Sequence, residues 1–215
     1  MDAIDFKAEQ RKTLEAPRRS YGLLAQCLFY GMDLVYGRGR TLSKFKVLEV
    51  IARVPYQAWE QVAYIAMTHT YSEPGFARRV FEFVKESRAQ QDNEQWHLLI
   101  LEEMVQKSGI GENYLQARIL PQAVAFIYYH VSWLLYVIDP KESYSLNADF
   151  EDHAEHSYME FVRDNPEFET RPFVSDFEND YGKFASWADL FRQIGLDERH
   201  HKLESLARIE TPRFS

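Results

Sequence analysis

Two short motifs in this chain carry ligand chemistry, Glu94-Gln-Trp-His97 and Glu198-Arg-His-His201, about a hundred residues apart. Residues three apart on a helix share a face. Each motif therefore aims one carboxylate and one imidazole at the same spot. Oxygen and imidazole donors together suit iron or manganese. A single Glu-x-x-His arises easily by chance in a Glu-rich chain. Two of them, with Glu-bearing helical segments before and between, form a much more specific signal.

The set is complete when one Glu from each of two further helices joins the pair of motifs. Four helices then enclose two metal ions, the ligand set of ferritin-like di-iron and di-manganese carboxylate proteins. Bridging carboxylates hold two ions close enough to bind O₂ between them, and four Glu with two His cancel much of the ionic charge. Glu151, on the segment between the motifs, is the expected fifth ligand. The sixth must precede Glu94. Glu49 and Glu60 compete for that place, since eleven residues is close to three helical turns and both can lie on one face. Periodicity leaves both open.

The elements that must position these residues read as helices, and strand signals are poor. Amphipathic segments are expected at about 21–36, 41–70 with a kink near Pro55, 76–107, 114–138, 150–163 and 183–209. Turn residues separate them, including 37–40, 72–75 and 139–140, and 164–182 is expected as a Pro- and acid-rich loop. The expected fold is all-α, a ferritin-like four-helix bundle around a di-iron centre plus two additional helices. The 215 residues suit a single domain, 1–215, with 1–40 as an N-terminal amphipathic arm. The most apolar stretch, 119–138, approaches spanning length. It is expected to be a buried bundle helix and not a membrane span.

The net charge of −8 and the absence of a basic block argue against a nucleic-acid partner. Cys27 is the single cysteine. It excludes an intramolecular disulfide, points to a reducing compartment, and is expected to be a buried structural residue. The first residues carry neither a secretory nor a transit signal, as expected of a bacterial-like protein or a mature form.

Four segments, taken in order, resemble the alternative oxidase family. Val47-Leu-Glu-Val-Ile-Ala-Arg-Val-Pro-Tyr56 is similar to its Leu-Glu-Thr segment, most of all to the plastid terminal oxidase form. Asn93-Glu-Gln-Trp-His-Leu98 is similar to Asn-Glu-Arg-Met-His-Leu. Phe150-Glu-Asp-His-Ala-Glu-His-Ser-Tyr158 is similar to Leu-Glu-Glu-Glu-Ala-x-His-Ser-Tyr, and Leu196-Asp-Glu-Arg-His-His201 to Ala-Asp-Glu-Ala-His-His. The resemblance spans about 40–205. It implies Glu49 as the sixth ligand, beside Glu94, His97, Glu151, Glu198 and His201, for two irons. It further implies quinol:O₂ oxidoreduction to water without proton pumping, an electron-transport activity using ubiquinol or plastoquinol.

The resemblance gives Tyr158, two turns beyond Glu151, a catalytic role as an electron donor or radical during O–O cleavage. Asn93 and Asp197, each preceding a ligand Glu, are expected to orient the metal-bound imidazoles. Lys44, where the family usually has Arg, Leu48 and His153, where it usually has a carboxylate, are the expected quinol contacts. His156 and His200 are expected to hold no iron, with His200 the weaker alternative to His201, and His69 and His130 to pack or cap. Family members lie on one leaflet without crossing it. Segment 21–36, flanked by Arg18, Arg19, Arg38 and Arg40, and one face of 114–138 are the expected landing surface on the cytoplasmic side or its organellar equivalent, with a homodimer interface as the competing use. A soluble di-iron oxygenase acting on a small molecule is the alternative function. Iron storage is disfavoured, because nothing supplies a shell-forming surface.

Overall fold

The computed structural model describes residues 4–214. Among them every regular element is helical: α1 (Phe6–Glu15), α2 (Leu23–Tyr36), α3 (Leu42–Ala52), α4 (Val54–Thr70), α5 (Pro74–Lys107), α6 (Leu120–Ile138), α7 (Pro140–Asp164) and α8 (Trp187–Glu210). A π-helical turn, Leu115–Ile119, leads into α6, and a 3₁₀ turn, Pro166–Glu169, follows α7. The chain divides into two compact units. One comprises Met1–Arg40 and Ala148–Glu204, the other Thr41–Asn147 and Ser205–Ser215.

Local chemistry sets the helix ends. The Asp5 carboxylate accepts from the Ala8 amide and starts α1, a helix the periodicity had not indicated. Thr41 caps α3 through the Lys44 amide. The kink expected at Pro55 is a full break: α3 stops at Ala52, and the Pro ring, with no N–H to donate, sits in the first turn of α4. Beyond α5, Gly109 at φ +64° lets its amide reach Gln106 and that of Ile110 reach Val105, satisfying two terminal carbonyls. Asp139 ends α6 at Ile138, as expected, and also starts α7. Its carboxylate accepts from the amides of Lys141 and Glu142, so 140–149 is helix and not loop.

In the unit containing α3–α6, an aromatic core gathers Tyr56 and Trp59 of α4, Val80, Phe83 and Val84 of α5, Tyr136 of α6 and Tyr144 of α7. The buried Trp59 indole donates to Ser143, and the Tyr136 and Tyr144 hydroxyls meet at 3.1 Å. Buried polar tips find partners while their rings exclude water. In the other unit, Phe161, Phe168, Trp187 and Phe191 pack edge-on or tilted. Gly195 lies so close to Met159 that an added Cβ would meet its methyl at 2.9 Å. Buried Arg192 is held by Gln10, Glu169 and Asp189.

Two burial expectations are corrected. α6 is not a buried helix: Ser132 and Tyr136 face inward, while Phe126 (68% exposed), Ile127, Leu134 and Ile138 (71%) face outward. Its all-round hydrophobicity does not come from burial on all sides. Cys27 is exposed, because α2 turns Ala25 and Met32 inward and leaves Leu23, Cys27 and Leu34 outside.

Candidate metal centre

Glu49 ends the penultimate turn of α3, and Glu94 and His97 share a face of α5. Their unit places them together: His97 Nδ1 is 3.5 Å from Glu49 Oε2 and 3.7 Å from Glu94 Oε2. All three are buried, and their ligand atoms lie within 4.8 Å of one another. Glu60 goes elsewhere. It accepts from Arg88 at 2.6 Å and Gln91 at 2.8 Å, an ordinary ion pair at a helix surface.

The other unit repeats the pattern. Glu151 of α7 and Glu198 and His201 of α8 are buried, with ligand atoms again within 4.8 Å of one another. His201 Nδ1 is 3.9 Å from Glu198 Oε2. His200 turns outward and pairs with Glu204 at 3.0 Å. It follows Glu198 by two positions, which a helix does not bring to one face.

Each cluster thus presents two carboxylates and one imidazole. With both carboxylates ionised it carries a formal −2, which matches one divalent ion, and hard oxygen with borderline nitrogen donors fits iron or manganese. The electrostatics agree with that fit. Burial pushes the Glu49 carboxyl up to about 7; the His97 hydrogen bond works against this, and the neighbouring Glu94 charge adds to it. Buried carboxylates this close are costly without a cation.

The remaining candidates are distributed around these clusters. Tyr158 is buried and stacks on Phe191, ring centres 6.1 Å apart. Asp197 accepts from the Tyr181 hydroxyl at 2.6 Å and from Gln193 at 2.8 Å. Asn93 is half-buried beside Glu94, and Lys44 and Leu48 are half-buried on α3. The His153 ring stacks on Phe29 of α2 at 4.0 Å, with Tyr21 at 6.0 Å edge-on.

A third buried group, Asp152, Glu155 and His156, also has ligand-like spacing. Its charge is already balanced. Glu155 accepts from Thr13, Arg199 and Lys202, and Asp152 from Lys202, Tyr21 and the Arg19 amide. This group ties α1 and the segment after it to α7 and α8. The sequence shows its i, i+3 spacing but not the cations that occupy it. Lys46 is likewise buried between Glu102 and Glu112, a pairing that no local pattern announces.

An all-α protein with two buried carboxylate–imidazole clusters presents the kind of ligand set that helical carboxylate metalloproteins use. More specifically, the chain belongs to the alternative oxidase family, whose profile matches residues 5–205. A chloroplastic/chromoplastic ubiquinol oxidase 4 of Arabidopsis thaliana is 36% identical over 132 residues, 61% of this chain and 34% of that protein. A mitochondrial ubiquinol oxidase 2 of Glycine max is 25% identical over 175 residues, 79% of this chain and 48% of the relative. A mitochondrial ubiquinol oxidase 2 of Arabidopsis thaliana is 25% identical over 204 residues, 93% of this chain and 54% of the relative. The matched stretch thus spans about a third to a half of the length of these relatives.

Proposed function

We propose that this chain is a di-iron quinol:O₂ oxidoreductase that pumps no protons, with residues 1–215 acting as one di-iron domain and 1–40 as its N-terminal arm. Glu49, Glu94, His97, Glu151, Glu198 and His201 together hold the two irons. The observation that carries this is the pair of buried Glu–Glu–His clusters, within a stretch that matches the alternative oxidase family almost end to end. The relatives named as ubiquinol oxidases support a quinol as reductant. Ubiquinol and plastoquinol both fit.

Irons held by these six residues would supply O₂ binding and electron transfer. The chain's own residues do the rest. Two quinols supply four electrons and four protons, and one O₂ leaves as two waters. The four carboxylates, all buried, would neutralise the ions' charge, and the two buried imidazoles would complete the donor set. The Tyr158 hydroxyl supplies a hydrogen atom as the O–O bond breaks and recovers it from quinol. Asp197 and Asn93 orient the ligand side chains, and Lys44, Leu48 and His153 contact the quinol head group.

The quinol is lipid-soluble, so the enzyme lies on a leaflet. The outward apolar faces of α2 and α6 support this. By length and composition Leu115–Ile138 is long and apolar enough to cross a membrane. However, α6 packs on α3 and α4, which carry Lys46, Arg53 and Glu60. A crossing α6 would drag those charges into hydrocarbon, at a cost of several kcal/mol in all, whereas an in-plane helix leaves them in the headgroups or water. A second copy of the chain on the α2 face is the competing cover, and it would show as a dimer that persists in detergent.

The test is O₂ uptake by iron-loaded protein in detergent with a short-chain quinol. Cyanide-resistant uptake at two quinols per O₂ without peroxide release is the expected result. No uptake by protein shown to hold two irons would overturn the quinol oxidase and favour a di-iron oxygenase with another substrate.

A further inference from the structure

A concave feature lined by none of the cluster residues opens beside the Glu49–Glu94–His97 group, with Val50 and Leu98 in its wall. It is a cleft of about 770 Å³ in the unit containing α3–α6, walled by the α3–α4 break, α5 and α6. Its floor is apolar: Val50, Val54, Leu98 and Ala125. Its other side chains include the hydrogen-bond donors Arg53, Gln57, Gln122 and Tyr129, and no carboxylate lines it. In a chain of net charge −8 that is a local inversion of sign.

The Arg53 guanidinium is incompletely used. One terminal nitrogen donates to Gln95 at 3.3 Å, while its Nε is buried with no hydrogen-bond partner. A buried cationic donor without an acceptor is costly, and an anionic oxygen is its best partner. The break between α3 and α4 explains its place. Arg53 sits between two helices, so its side chain leaves at the corner where α6 crosses. Beside this corner, Phe126 at the cleft rim continues into the exposed apolar face with Ile127 and Leu134. Cation and hydrocarbon are thus adjacent, the order of charge and apolar surface in an anionic amphiphile.

We propose that this cleft binds the phosphodiester headgroup of an anionic phospholipid, with Arg53 as the charge partner, the Gln and Tyr donors around the phosphate oxygens, and the acyl chains running along α6. The proposal rests on the in-plane membrane reading above and deepens it. It makes α6 a helix anchored at one point through a specific lipid and not only through apolar area.

The experiment is binding of the 215-residue, iron-loaded chain to vesicles of phosphatidylcholine alone and with one-fifth phosphatidylglycerol. The proteins are the parent chain, Arg53→Gln, Ala125→Trp, which fills the cleft without changing charge, and Arg78→Gln, which removes an exposed cation outside it. The parent and Arg78→Gln should bind anionic vesicles more tightly than neutral ones. Arg53→Gln should lose about fivefold of that preference, the usual contribution of one basic residue near a charged leaflet. Ala125→Trp should lose it equally, and both should keep their affinity for neutral vesicles. Should Arg53→Gln fail to fold by circular dichroism, Ala125→Trp alone decides. An undiminished preference in Ala125→Trp, or in folded Arg53→Gln, overturns the cleft as the lipid site. An equal loss in Arg78→Gln reduces the effect to bulk charge and also overturns it. Failure of every protein to bind any vesicle overturns the membrane reading itself. In that case, an Arg53-dependent rise in melting temperature with inorganic phosphate would assign the cleft to a free anion, against the lipid.

Discussion

Glu49 Oε2 lies 3.5 Å from His97 Nδ1, joining α3 to α5 in a place where burial holds the Glu49 carboxyl protonated up to about pH 7. The unfolded chain releases that proton near 4.5, the ordinary value. The folded, metal-free protein therefore binds more protons across this window and loses stability as pH rises through it. Chemical denaturation of metal-free protein should give a lower unfolding free energy at pH 8 than at pH 5. Glu49→Gln should remove most of that slope. An unchanged slope would show that Glu49 is not the group being titrated. Iron must displace the same proton, so its affinity should fall as pH drops below about 7.

Glu94→Ala and His201→Ala each remove a ligand from a different cluster. Both should abolish stable iron binding and turnover while the protein remains helical. Iron analysis after desalting is the check, and two irons retained by either variant would refute the ligand assignment.

Tyr158→Phe deletes one oxygen and preserves the ring that stacks on Phe191. Iron content and melting temperature should hold. Quinol-dependent O₂ uptake should fall about a hundredfold, the scale of a positioned proton donor. Normal turnover would remove this tyrosine from the chemistry.

Glu155 works in the opposite direction to Glu49. Burial pushes its carboxyl up, but hydrogen bonds from Lys202, Thr13 and Arg199 outweigh burial and hold it below 4.5. Its contribution is present above that value and lost as pH falls through its lowered folded-state value. Glu155→Gln should cost about 3 kcal/mol at pH 7, the scale for breaking a buried ion pair. The gap from the parent should close on acidification below about 4.5, as thermal melts from pH 7 to 3 would show. A gap that stays constant would place the loss in packing and not in charge.

Much of the metal chemistry was legible in the chain because helical spacing is local. Glu94 with His97, and Glu198 with His201, need only the 3.6-residue period to share a face, and the breakers around Gly37, Gly109 and Pro55 mark most helix ends. What spacing alone left open was which of Glu49 and Glu60 stands by His97, since both occupy equivalent turns. Tertiary packing separates them: Arg88 and Gln91 engage Glu60, and α5 presents His97 to Glu49. Tertiary structure also decided which apolar surface is covered. Hydropathy cannot distinguish a helix enclosed on all sides from one packed on a single face, so α6 and Cys27 read as buried and are exposed. Asp139-Pro140 read as a stop and does end α6, but the sequence did not show that α7 begins there at once, because a proline that ends one helix is equally suited to begin the next. The α1 clasp, Lys46 between its two glutamates and the Arg53 cleft depend on residues brought together from distant parts of the chain, and only folding supplies that proximity.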